Sequence, residues 1–186
     1  MQDWWQQVAL TAYKEFSDIP DPAQATRIVM RLTLAALLGG LLGWEREATG
    51  KEAGVRTHML VCMGSAMFVM VAVQTGALAN ETSRVMQGVI AGIGFLGAGT
   101  ILKEHSKGSQ PPQVHGLTTA AGIWLTAAIG IAAGLGEEAT ALLSAVLAFG
   151  ILRLVPFLLG RDIHEEAPPA PAPAADNEKS TGHKSR

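Results

Sequence analysis

Charge falls along this chain of 186 residues in short clusters, and the stretches between the clusters are nearly free of it. A helix that crosses a hydrocarbon core of about 30 Å needs roughly 20 mostly apolar residues. Five stretches approach or reach that length: 28–44, 57–78, 86–102, 114–134 and 139–159, with Arg153 the one Lys, Arg, Asp or Glu in the last two. None alternates with the period of two that a barrel strand needs, and backbone groups in lipid must be satisfied within the segment. The fold class read from this pattern is all-α, a polytopic integral membrane bundle of about five transmembrane helices. Composition alone, 48% hydrophobic and 16% charged, would also suit a soluble domain. The patterning is what decides.

Three regions follow. Residues 1–26 carry Trp4, Trp5, Val8, Tyr13 and Phe16 at near-helical spacing, which reads as an interfacial helix lying on the membrane. The first residues lack the basic start and apolar run of a cleavable signal, so insertion is expected through the first span. Residues 27–160 form the transmembrane domain. Residues 161–186 turn abruptly to Pro, Ala and polar residues, a composition that cannot offset the entropy of ordering. That segment reads as a disordered tail. The single cysteine, Cys62, allows no internal disulfide, and a net charge of -2 gives no nucleic-acid footprint.

Lys and Arg set orientation. Arg46, Lys51 and Arg56 lie after the first span and Lys103 and Lys107 after the third, whereas the second and fourth loops carry one and none. The N-terminus is therefore expected outside and the C-terminus in the cytoplasm, although Arg27 and Arg31 stand at the outer end of the first span.

The glycines divide between two uses. Gly39 and Gly43, Gly88 and Gly92, and Gly130 and Gly134 are each spaced G-x-x-x-G, the pattern that lets membrane helices approach closely. Gly92, Gly94, Gly97 and Gly99 could instead interrupt the third span and expose carbonyls to a substrate path. On the packing reading, a leucine at Gly92 or Gly94 should impair assembly more than a change at Ile93. Gly92 to Gly97 also satisfies G-x-G-x-x-G, but without a preceding strand or a following acid the dinucleotide reading fails.

Among polar residues, no Asp or Glu falls inside the five stretches, which leaves a midplane divalent-cation site without carboxylates. Arg31 and Arg153 lie near enough to span ends to snorkel. Charge concentrates between the first two spans in Glu45, Arg46, Glu47, Lys51, Glu52, Arg56 and His58, either as a buried ionic network or as a solvated loop. Thr118 and Thr119 can bond neighbouring carbonyls in the fourth span. His105 and His115, separated by two prolines, make a weak metal pair. No metal site and no cofactor is expected, and the lack of a nucleophile with its base argues against an enzyme.

The run Gly43-Trp44-Glu45-Arg46-Glu47, then Lys51, Ala53-Gly54-Val55-Arg56-Thr57-His58 and Gly64-Ser65, resembles the opening motif of the MgtC/SapB family of bacterial membrane proteins. The resemblance continues through Gln87-Gly88-Val89, Gly92 to Gly99 and Val114 to Ala121, and covers roughly residues 32–157. It implies a bacterial inner-membrane protein linked to magnesium homeostasis, acid tolerance or stress adaptation, in some relatives to virulence. It also implies a functional role for Glu45, Arg46 and Arg56. The Pro/Ala tail stands where the family can carry a folded cytoplasmic domain, so a short form is expected. Two functions fit: a non-enzymatic regulator, and an oligomeric Mg²⁺ or proton transporter or channel whose path runs past Gly88, Gly92, Gly94, Gly97 and Gly99. Expected partners are the lipid bilayer, a second copy or another membrane protein, and Mg²⁺.

The orientation is testable by fusion. A reporter active only outside the cytoplasm should give signal near Glu137 and none at the C-terminus, and the reverse pair of results would invert the assignment.

Overall fold

A computed structural model describes residues 2–15, 21–103 and 114–158. The tail at 161–186, Phe16 and His105 lie outside the described residues. The elements are α1 (Gln2–Glu15), α2 (Pro22–Ala48), α3 (Val55–Gln74), α4 (Ala79–Gly99), β1 (Leu102–Lys103), β2 (Val114–His115), α5 (Leu117–Leu135) and α6 (Glu138–Leu158). In α1 the rings of Trp4 and Trp5 stack at 4.0 Å and stay exposed with Val8 and Tyr13.

The first span is longer than its apolar run. Asp21, in extended conformation, accepts a hydrogen bond from the Ala23 amide at 3.1 Å, and Pro22 takes the first helical position. The helix therefore starts before Ile28 and continues through Glu45 and Arg46. Its 27 residues span about 40 Å, more than a hydrocarbon core requires. Arg31 consequently does not snorkel from a helix end. Its Nη1 donates to the Gly134 carbonyl at 3.1 Å, and its Nε lies 3.5 Å from Glu138 Oε1, tying α2 to α5 and α6.

The boundaries of the third and fourth spans also differ from the sequence reading. Helix α4 ends at Gly99, and Leu102 and Lys103 pair antiparallel with His115 and Val114. Val114 and His115 are thus extended rather than helical. Gly116 then turns the chain into α5 at φ +87, where a Cβ would overlap the Thr100 carbonyl oxygen.

Four described helices, α2, α3, α5 and α6, are long and apolar enough to cross a membrane. Asn80, Glu81, Arg84 and Gln87 leave α4 less apolar, but the topology accounts for the fifth crossing. Gly122, Gly130 and Gly134 of α5 lie in turn against His58, Cys62 and Ala66 of α3, so the two helices run parallel. The chain between them must return from one end of the bundle to the other. At about 1.5 Å per residue, the 21 residues of α4 cover that distance, and Gly97 meets Ala120 at the start of α5.

Packing is closest around α3. A Cβ at Gly39 would lie 2.5 Å from the His58 carbonyl oxygen, and one at Gly43 would lie 2.6 Å from Val55 Cα. On the other side, Gly134 would place a Cβ 2.5 Å from the Ala66 carbonyl oxygen, and Gly130 touches the Cys62 carbonyl still more closely. Two of the three G-x-x-x-G pairs therefore clasp α3 between α2 and α5. Ala35, Cys62, Ala66, Ala133, Ala141 and Ala145 fill the centre, all fully buried. The third pair is not packed by another described element: among the described residues a Cβ at Gly88, Gly92, Gly94 or Gly99 would meet no neighbouring atom within 4 Å. Ile93 is the packed residue there, buried with Ala53, Ile123 and Ala127. Among the described residues the packing at this level of α4 thus rests on Ile93 and not on its neighbouring glycines.

Gly130→Ala should destabilise the purified protein in detergent by on the order of 1–3 kcal/mol, the usual cost of overpacking, while Gly92→Ala should stay near wild type. Thermal unfolding that ranks the two equally would remove the clasp.

Candidate functional site

The junction of α2 and α3 is closed by its own backbone. Gly50 adopts φ +69, the Gly50 amide donates to the Glu47 carbonyl at 3.0 Å, and the Lys51 amide donates to the Arg46 carbonyl at 3.0 Å. This is a glycine-terminated helix end in which otherwise orphaned carbonyls find donors. Gly54, which precedes α3, has no side chain to cap the helix; Glu47 Oε2 does so, accepting from the Val55 amide at 2.9 Å. Glu47 thus sets the entry angle of α3. Sequence reasoning gave it no separate role, although a carboxylate eight residues before a glycine-led helix is a visible signal.

Because Gly39 and Gly43 admit the start of α3 so closely, the polar residues at this corner are sealed in. Glu45 and His58 are 0% exposed and Arg46 is 4% exposed. Both Nε and Nη2 of Arg46 bond Glu45 Oε2, at 2.6 and 2.5 Å. Glu45 Oε1 is left buried with no hydrogen-bond partner among the described residues. His58 Nδ1 lies 3.0 Å from the Gly54 carbonyl, which can only accept, so Nδ1 carries the proton. In the neutral ring Nε2 is then a bare acceptor, and it too is buried without a partner. Gly122 of α5 faces this nitrogen, where a Cβ would stand 3.6 Å away. Glu45 and Arg46 are close enough to act electrostatically on His58.

The corner therefore holds one internally compensated ion pair and two acceptor atoms that lack a donor. Leaving such atoms buried costs about 1–3 kcal/mol each. A proton, or a small species carrying hydrogen-bond donors, would satisfy them. Among the described residues no group of three or more His, Cys, Asp or Glu side chains could hold a metal ion.

Of the residues singled out from sequence, the structure brings together Glu45, Arg46 and His58. Lys51 sits half-buried in the connecting turn. Arg56 does not join them: it points out of α3, is exposed, and forms no ion pair with Glu45. The carboxylate finds its partner in its neighbour Arg46 instead. Thr119 is buried and Thr118 exposed at the start of α5, while Thr126, which sequence reasoning missed, is fully buried and donates to the Gly122 carbonyl at 2.8 Å. Gly97 contacts Ala120, and Gly88, Gly92, Gly94 and Gly99 remain open along α4.

Comparison with known proteins bears on this arrangement. The model of the MgtC family matches residues 32–160. The chain is 52% identical over 113 residues to Protein SrpB of Synechococcus elongatus, covering 57% of this chain and 62% of that protein. It is 38% identical over 133 residues to the putative magnesium transporter YhiD of Escherichia coli, covering 68% and 59%. It is also 38% identical over 119 residues to Protein MgtC of Salmonella typhimurium, covering 64% and 48%. The chain thus spans less than two thirds of the length of these relatives. No solved structure matches it.

The buried pair is open to a double-mutant cycle. Glu45→Gln or Arg46→Gln alone should cost about 3–5 kcal/mol of stability by leaving one buried charge uncompensated, and the double variant should lose less than the sum. Arg56→Gln should change stability by about 0–1 kcal/mol. Additive losses near zero at Glu45 and Arg46, measured by unfolding in detergent, would sink the assignment.

Proposed function

Because this chain belongs to the MgtC family, we propose that it is a multi-pass protein of the bacterial cytoplasmic membrane that acts as a non-enzymatic regulator in magnesium homeostasis and in adaptation to acid or other stress. The observation that carries this reading is the sealed corner of Glu45, Arg46 and His58. A proton taken up on His58 Nε2 changes charge where α2 and α3 meet, and a local charge change at a helix junction is the kind of event that a regulatory switch transmits. The packing supports a switch over a conduit through this part of the molecule. Glycine-to-backbone contacts hold α2, α3 and α5 together, and the ion pair is compensated within one helical turn. With the N-terminus outside, the corner faces the cytoplasm. Its partner would be a second copy or a larger ion-handling membrane protein.

The alternative is an oligomeric Mg²⁺ or proton transporter. The name of the YhiD relative favours it, and so does the open face of α4, where Gly88, Gly92, Gly94 and Gly99 could line a path between copies.

Flux and growth separate the two. Vesicles reconstituted with the purified chain should take up Mg²⁺ and H⁺ no faster than protein-free vesicles, while Glu45→Gln should lose complementation of a deletion strain at low magnesium. Protein-dependent flux that Gly92→Leu abolishes would replace the regulator with the transporter.

A further inference from the structure

At the far end of the bundle from Glu45, the first turns of α2 and the last turns of α3 and α5 enclose an open pocket of about 280 Å³. Its polar lining includes Gln24, Arg27, Arg31 and Gln74. Arg27 and Arg31 are four residues apart, so their guanidiniums share one helix face, an arrangement that is destabilising by itself. Neither is fully engaged. Arg31 reaches the Gly134 carbonyl and lies near Glu138, yet its buried Nε makes no hydrogen bond. Arg27 makes only a long 3.4 Å contact from Nε to the Ala23 carbonyl and has no carboxylate partner among the described residues. Asp21 also lines the pocket, but its Oδ1 accepts from the Ala23 amide as the cap of α2.

The pocket straddles a polarity boundary. Gln24 and Arg27 come from the polar first turns of α2 and Gln74 from the end of α3, and Ile28, where the apolar run begins, lines the pocket with Met70 and Leu135. Its volume is at or just below the lower limit of about 300 Å³ for small-molecule sites, enough for a headgroup. Planar guanidinium groups match phosphate oxygens in bidentate geometry. We propose that this pocket holds the phosphate ester of a phospholipid from the leaflet at the N-terminal end of α2, with Arg27 and Arg31 as its ligands. The lipid would relieve the like-charge contact and secure the end of the bundle where α2, α3 and α5 meet. This site stands apart from the Glu45 corner and does not depend on the function proposed for it.

The test uses the full chain, purified in a neutral detergent, delipidated and titrated with phosphatidylglycerol. Native mass spectrometry should show one lipid retained per wild-type chain. Arg27→Gln should weaken retention about tenfold, the loss expected for one charge-assisted hydrogen bond. Arg31→Gln removes a tie to α5 and so changes folding together with the pocket, which leaves the exposed Arg27 as the deciding position. Arg153→Gln, which alters an exposed arginine outside the pocket, should retain lipid as wild type does. Undiminished retention by Arg27→Gln would overturn the proposal, as would displacement of the lipid by inorganic phosphate with the same thermal shift, which would make the pocket a site for the free anion.

Discussion

Close approach of backbones around α3 is the constraint from which the rest of this bundle follows. In lipid no hydrophobic force draws one apolar helix to another, so association relies on contact area and short-range packing. Gly39 and Gly43 supply that contact on one side of α3, and Gly130 and Gly134 on the other. Ala141 and Ala145 let α6 close against the same centre. The bundle is thus organised by what its side chains omit. Leu42, Ile123 and Ile129 fill the inside, while many other large apolar residues, among them Phe68, Leu143 and Phe157, are turned outward, as befits helices whose solvent is hydrocarbon.

The burial of the ionic corner is a consequence of that approach. With a larger residue at Gly43, the start of α3 would be pushed off α2, and the Glu45–Arg46 pair would be open to water. An exposed pair of this kind is worth little, whereas the same pair sealed from water becomes costly to break. The corner is therefore stabilised only as far as its helices stay clasped, and any charge change within it acts back on the clasp. Glu47 strengthens this coupling. Its carboxylate begins α3, so the segment that carries the buried pair also fixes the helix that covers it.

Much of the fold was legible because lipid simplifies the code. Five nearly uncharged stretches were enough to give an all-α bundle, and the spacing of Gly39/Gly43 and Gly130/Gly134 identified two of its real contacts. Spacing could not separate these from Gly88 and Gly92, since G-x-x-x-G states that a helix can be approached and not that another helix is there. Helix ends were obscured for a related reason. Hydropathy follows lipid contact, so it cut α2 at Trp44 and placed Glu45 and Arg46 in a loop, although hydrogen bonding carries the helix through both. The same boundary left Glu45, Arg46 and Arg56 looking alike, as charges of one loop. Once the helix is extended, Arg46 is the neighbour in reach and Arg56 faces away. His58 was visible as a polar residue at the start of a span, but its bare Nε2 depends on Gly54 and Gly122, which only the fold brings to it.

Helix α2 emerges as the spine that relates the two ends of the molecule. It is long enough to pass both boundaries of a hydrocarbon core, and near each end it carries a guanidinium held by groups of the protein. Arg46 is satisfied by the adjacent carboxylate and is almost completely buried. Arg31 is held across the bundle by α5 and α6 and keeps a buried Nε unbonded beside an open pocket. One end is thus closed around an internal ion pair, with spare acceptors at Glu45 and His58; the other is open, with spare donors. The same backbone clasp lies between them, since Gly134, whose carbonyl receives Arg31, presses on α3 one turn from Gly130. A change in occupancy or protonation at either end would therefore be felt through the packing of α3, the element to which both ends are fastened.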